Sequence, residues 1–313
     1  MNNANLTTFG DVQQQVQEMS IHHHDRNISS DDIQFVSLDN IIINGEVFPV
    51  NPRAQSMIAN RLRIPHNYLK RCSPSIQARN LNHHIDKQKE DREFFVRFDG
   101  EEVRAIFTQR YKPMDNVEVL NQLEMFGIGP NTKVQSQVDS NFLSISIPNE
   151  EQTFNIARGD LVTPGISICN SEVGVSSLRI SAFLLRLLCT NGMVAQVGHT
   201  NAFKHISRKA IQEFPQVINQ VGEQAQILQK QFKLSIESKV DHPHESLSAF
   251  NAKFQLAKAE VEAVDWGYEE EPGETMFHIV NAYTKGAQHE TLHPESSYRL
   301  QHVGGQILNM VNN

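Results

Sequence analysis

Residues 169–194 read CNSEVGVSSLRISAFLLRLLCTNGMV, a polar small-residue loop followed by an almost wholly apolar run and a Thr190-Asn191-Gly192 turn. This segment constrains the fold most, because the apolar run must be buried while it carries Arg179 and Arg186. A guanidinium among Phe183, Leu184, Leu185, Leu187 and Leu188 is costly to bury alone. Arg186 is therefore paired inside the fold or turned toward an anionic ligand. Periodicity leaves strand and helix open for 178–190. The Asn191-Gly192 turn before Met193-Val194-Ala195-Gln196-Val197 favours a strand and hairpin. In a strand, residues seven apart lie on opposite faces; in a helix they share one.

Other segments show clearer signals. Ile41-Ile42-Ile43, Asn44-Gly45 and Val47-Phe48-Pro49-Val50 predict a hairpin. Residues 93–98 and 103–107 flank Asp99-Gly100 and predict another. Lys133–Val138 and Phe142–Ile147 alternate around Asp139-Ser140-Asn141, with Ile145 and Ile147 on one face and Ser144 and Ser146 on the other. Between the first two hairpins, Pro52, Pro65 and Ser73-Pro74 open three short helices decorated by Arg61, Arg63, Lys70, Arg71 and Arg79. Asp115 is placed to cap a helix carrying Val119, Leu120 and Leu123, closed by Gly127. From His205 onward the spacing is helical, with Ile211–Phe232, Leu247–Val261, Thr275–Gln288 and Ser297–Val311 as helices and an acidic loop at Glu269–Gly273. The expected class is α+β: a mainly antiparallel sheet with helices in the N-terminal two-thirds, then a helical C-terminal part. Three parts are expected, with a flexible polar tail at 1–30, an α+β core at 31–202 and a helical region at 203–313 packed on that core.

Charge qualifies the choice of partner. The chain carries a formal −8, which argues against a nucleic-acid partner, yet residues 51–112 hold 13 Lys+Arg against 7 Asp+Glu and residues 158–209 hold 6 against 2. Two basic segments in an acidic chain can form one positive face for a phosphate backbone. They can equally be salt-bridged to the acidic parts. No apolar run approaches the roughly 20 residues that span a bilayer, so no membrane partner is expected. The first residues show no basic-then-apolar secretory pattern. Cys72, Cys169 and Cys189 are odd in number and lack metal-ligand spacing, which fits a reducing cytoplasm.

Motifs for catalysis are missing or weak. Gly159, Gly165, Gly174 and Gly192 match neither a Walker A nor a G-x-G-x-x-G pattern, and no cofactor is indicated. There is no G-x-S-x-G. His289-Glu290-Thr291-Leu292-His293 spells a zinc-protease pattern but abuts Pro294 without an apolar helix around it, so it remains a weak metal candidate. The His22-His23-His24 run reads as solvated tail. Asn170, Ser171, Ser176 and Ser177 could present backbone N–H groups to an anion, or form a turn that satisfies itself. Arg97, Arg104, Arg110, Lys112, Arg179 and Arg186 lie on or beside predicted strands, with Tyr111 among them. Cations that track phosphates and rings that stack on bases are what single-stranded nucleic acid requires. The competing reading makes Phe94, Phe95 and Phe107 core.

Five pieces together resemble the phage/plasmid-like family classed as domain of unknown function 932. They are Ile64–Leu69 with Arg79–Asn82; Val103–Ala105 with Arg110–Asn116; Asn170–Gly174; Leu187–Met193; and His278–Thr284. The resemblance covers most of the chain from residue 50 to residue 310. It implies an origin on a phage, plasmid or integrative element, among DNA-processing genes. It implies no activity and carries no catalytic residue over. The expectation is a nucleic-acid-binding accessory protein, with single-stranded DNA or RNA as partner and annealing in recombination as its setting. A non-enzymatic protein-interaction or counter-defence factor, with copies of itself or other phage and host proteins as partners, is the alternative. A metal-dependent enzyme comes third.

Overall fold

The structure, a computed structural model, describes residues 6–87, 93–157, 160–186, 193–196, 201–203 and 225–311. It opens on β1 (Leu6–Thr8), α1 (Phe9–Ser20) and β2 (His23–Ser29). Most of the segment expected as a polar tail is thus a strand–helix–strand unit. Phe9, Val12 and Val16 form a buried stripe at helical spacing, while the glutamines that dominate the composition lie mostly on the other side. Thr8 and Asp11 close a capping box at the helix start. The partner of β2 lies some seventy residues onward, as shown by the register of His23 with Asp99, and no local pattern could reveal it.

Next come β3 (Ile33–Phe35), β4 (Asn40–Ile43) and β5 (Glu46–Pro49), a three-stranded meander. Asn44 and Gly45 both have positive φ, 51° and 87°, as the expected Asn-Gly turn demands. Helices α2 (Pro52–Arg61), α3 (His66–Arg71) and α4 (Pro74–Asp86) follow. A second three-stranded sheet joins β2 to β6 (Glu93–Asp99) and β7 (Glu102–Thr108) in the order β2-β6-β7. Helix α5 (Asn116–Met125) then leads into the large sheet.

That sheet contains β1 with β8 (Lys133–Val138), β9 (Leu143–Pro148), β10 (Phe154–Ala157), β11 (Asp160–Asn170), β12 (Leu178–Arg186), β13 (Met193–Gln196) and β14 (Asn201–Phe203). All of its pairings are antiparallel. The ambiguous apolar run is β12 as far as Arg186, a strand between β11 and β13. The Thr190-Asn191-Gly192 turn and the expected helical stretch from 211 to 224 lie outside the described residues. Helices α6 (Ala225–Glu237), α7 (Pro243–Lys253), α8 (Lys258–Glu270), α9 (Met276–Gly286) and α10 (Pro294–Asn309) close the chain. The class is α+β, with antiparallel sheets and a helical C-terminal part. The run 247–261, expected as one helix, is split between α7 and α8 by a turn in which Gln255 adopts φ 52°.

Two large hydrophobic clusters, with a small third one at Phe142, Cys169 and Tyr298, fill the interior of the described residues. One lies wholly within residues 28–106 and joins the two small sheets to α2–α4. The other joins α1, α5, the large sheet and the C-terminal helices. Within it α8 and α9 approach backbone to backbone through Gly267 and Gly286. A Cβ on Gly286 would lie 2.6 Å from the Ala263 carbonyl oxygen. Gly286→Ala should therefore force the pair apart and cost about 1–3 kcal/mol in a urea melt, whereas Gly129→Ala, whose nearest contact is 4.0 Å away, should be nearly silent.

Candidate nucleic-acid interface

Two strand arginines that the sequence offers to phosphate are buried. Arg97 is 2% exposed and Arg104 is 4% exposed. Arg97 on β6 donates through Nε and Nη2 to the two carboxylate oxygens of Asp25 on the neighbouring β2, at 2.9 and 3.2 Å. Its Nη2 also reaches Asp115 Oδ1 at 2.5 Å, and its Nη1 donates to the Glu172 carbonyl at 3.1 Å. Arg104 on β7 pairs with the Glu172 carboxylate at 2.8 Å. The other carboxylate oxygen of Glu172 accepts the Asn116 backbone N–H at 2.6 Å, placing an anion on the first turn of α5. Asp115 holds the N-cap position, as the sequence suggests, but its side chain makes no cap bond and turns to Arg97 instead.

The rest of the loop after β11 is tied down as firmly. Arg53 on α2 donates to the Val173 and Gly174 carbonyls at 3.0 and 2.6 Å. Asn170 donates to the Met114 carbonyl and to Asn116, and Ser171 donates to the Asn141 carbonyl. Gly174 sits at φ +72°, where an added Cβ would also meet the Phe107 ring at 3.0 Å. Tyr111 is buried, donates its hydroxyl to the Glu172 carbonyl at 3.1 Å and stacks on Phe107 at 3.7 Å. Its ring face is thus covered by protein. Asn170 and Ser171 serve a self-satisfied loop; Arg97 is salt-bridged to Asp25 and Asp115 from acidic stretches of the chain, and Arg104 to Glu172, an acid within the basic stretch 158–209.

The electrostatics agree with the geometry. Burial alone would raise the Glu172 carboxyl, but Arg104, the Asn116 N–H and Arg97 outweigh it and hold the pKa below its ordinary value. Burial likewise opposes the charge on Arg97, and Asp115 and Asp25 more than restore it. His23, from the run expected as solvated tail, lies 3.5 Å from Glu172; burial and then Arg104 depress its pKa.

The cations left on the surface lie elsewhere. Arg110 and Lys112 are exposed, as are Arg63, Lys70, Arg71 and Arg79 on α2–α4 and their connections. The Arg61 guanidinium lies 4.9 Å from the Phe94 ring, and Phe94 pairs with Thr108 at the end of β7. The C-terminal end of α2 is therefore beside the turn from which Arg110 and Lys112 emerge. Residues 52–86 carry six Lys+Arg and a single acid, Asp86. On that face Tyr68 is 43% exposed, and Asn80 of α4 donates to its hydroxyl at 3.4 Å.

Arg179 is half-buried, as are Ser176 and Ser177, and the Arg186 side chain lies outside the described residues. His289–His293 is the connection between α9 and α10 rather than a helix, so helical spacing does not bring its histidines onto one face. Among the described residues no group of three or more His, Cys, Asp or Glu side chains could hold a metal ion. None of the described helices is long and apolar enough to cross a membrane.

The family model described as a domain of unknown function (DUF932) matches residues 104–304. The chain belongs to that family. The match begins at Arg104 and takes in Tyr111, Asp115, Asn116 and Glu172, so the DUF932 segment contains the Arg104–Glu172 pair of the ionic seam. Arg53, Asp25, Arg97 and the α2–α4 face precede it. No curated protein matches the chain, and no solved structure does.

Glu172→Gln would leave the buried Arg104 guanidinium without its carboxylate partner. It should lower stability at neutral pH by about 3–5 kcal/mol. Because the folded pKa of Glu172 is depressed, its contribution is complete above the ordinary value of 4.5 and is lost as pH falls through the lower folded value. His23 adds a loss that begins as pH drops below 6.5, since the unfolded chain takes up that proton first. Urea melts from neutral to acid pH should therefore show stability falling in both windows, with the lower one flattened in Glu172→Gln.

Proposed function

We propose that this DUF932 protein binds single-stranded nucleic acid on the α2–α4 face, as an accessory protein of a phage, plasmid or integrative element would. One observation carries the reading: four exposed cations, Arg63, Lys70, Arg71 and Arg79, against one acid in residues 52–86, with Tyr68 exposed among them. Arg63, Lys70, Arg71 and Arg79, joined by Arg110 and Lys112, would track phosphates, and Tyr68 would stack on a base. Arg63 adds support. It occupies φ +57° just after α2, a position where glycine is usual and an L side chain is strained. An arginine there suits a need for the cation rather than for the backbone.

Labelled oligothymidine titrated from about 50 to 200 mM salt tests the proposal. Each lost phosphate contact should lower the log–log salt slope by about 0.7, so Lys70→Gln/Arg79→Gln should lose about 1.4. Arg63→Gly should weaken binding yet melt within about 1 kcal/mol of wild type, since glycine relieves the strain. Unchanged binding and slope in the double variant would exclude this face.

A second reading rests on a different surface. A groove of about 310 Å³ runs between α1 and α5, lined by Gln13, Gln14, Gln17 and Asn121 among others. Met125, at the end of α5, is 80% exposed. A protein partner docked there would co-elute in gel filtration and be lost in Met125→Glu, with oligothymidine binding unaffected.

A further inference from the structure

The large sheet is covered on both faces, and only one of them is apolar. Ile145, Ile168 and Ile180 align across β9, β11 and β12 on the first face. Asn170 on that face reaches Met114 and Asn116, which places the start of α5 there. On the second face the register aligns Ser146 with Ser167 and Ser181, and Gln137 with Ser144, Cys169 and Arg179. Such alternation ordinarily turns its polar face to water. Here α10 covers it: Gln137 Nε2 donates to Ser297 Oγ at 2.5 Å, and Tyr298 packs on Phe142 at 5.5 Å. Ser144, Ser146, Ser167 and Ser181 are all buried.

Inside this layer Gln137 Oε1, Arg179 Nε, Ser181 Oγ, Gln301 Oε1 and His302 Nδ1 are buried with no hydrogen-bond partner in the protein. Folded chains leave few such atoms, because each costs about 1–3 kcal/mol. The orientation of Gln137 is determined. Ser297 Oγ donates to the Ala287 carbonyl and so accepts from Gln137 Nε2, which leaves Oε1 as an acceptor. Among the described residues Arg179 forms no ion pair, and Cys169 and His302 feel its charge. Burial and then Arg179 hold His302 below its ordinary pKa, so its ring is neutral at pH 7. The layer therefore combines one uncompensated cation and a hydroxyl with two amide acceptors.

We infer that this layer binds a small phosphate-bearing polyol of the sugar-phosphate class. Its oxyanion would rest on Arg179 and Ser181, and its hydroxyls would donate to Gln137 and Gln301. The site shares no residue with the α2–α4 face and stands independently of nucleic-acid binding there. Calorimetric titration of the full chain with ribose 5-phosphate and with inorganic phosphate tests it. Ribose 5-phosphate should bind saturably and at least about tenfold more tightly than inorganic phosphate, as two hydroxyl–amide bonds allow. Arg179→Gln should weaken both ligands by tenfold or more, as loss of a charged hydrogen bond does. Gln301→Leu should weaken ribose 5-phosphate several-fold, leave inorganic phosphate unaffected and leave the melting temperature unchanged or higher. Should Arg179→Gln fail to fold, Ser181→Ala must show the same direction. No saturable binding of either probe to wild type, or undiminished binding by Arg179→Gln or by Ser181→Ala, would overturn the assignment.

Discussion

The contact on which the structure depends is the buried charge network around Glu172. The described residues hold two large hydrophobic clusters, one within residues 28–106 and one outside them. Apolar contact is permissive about register, and two greasy surfaces can slide. Arg97 and Arg104 on one side, and Glu172, Asp115 and the Asn116 N–H on the other, allow one arrangement, because any shift leaves a buried charge unpaired. Asp25 closes the network from β2, so the N-terminal strand–helix–strand unit is held by the same guanidinium. The network is an argument for specificity of docking more than for net stability, since desolvation of five charged groups opposes their attraction.

That seam also decides which cations remain for a ligand. With Arg97, Arg104 and Arg53 facing the loop after β11, the basic character of residues 51–112 is expressed outward through the three short helices and the turn after β7. The negative total of the chain is thus compatible with a positive face, because much of the acidic charge sits elsewhere on the surface or inside the seam. The serine-lined layer under α10 is a separate polar feature, buried where the alternation of β9 would lead one to expect water.

Much of the fold was legible from local signals. Asn44-Gly45 and Asp99-Gly100 announce their turns because few residues accept positive φ, and Pro52 and Pro74 open helices because a missing N–H is harmless there. The α1 helix was obscured by its glutamines, since three apolar side chains on one stripe weigh little in a composition. Strand β2 was invisible for another reason: a strand with few apolar residues is recognisable mainly through its partner, and β6 is far away in sequence. The roles of Arg97 and Arg104 were half legible. Their salt-bridged alternative was readable from the charge segregation, but Asp25, Asp115 and Glu172 could not be singled out from thirty-six acids.

Sequence alone determined the α+β class, the Asn44-Gly45 and Asp99-Gly100 turns, most helix starts and the membership in a family whose match begins at Arg104, because each of these depends on neighbours along the chain or on residue order. Tertiary structure alone decided which face of a strand meets water, which arginine meets a carboxylate and which serines lie beneath a helix. Those outcomes depend on groups brought together from distant positions, and burial turns the same guanidinium from a ligand contact into an internal tie.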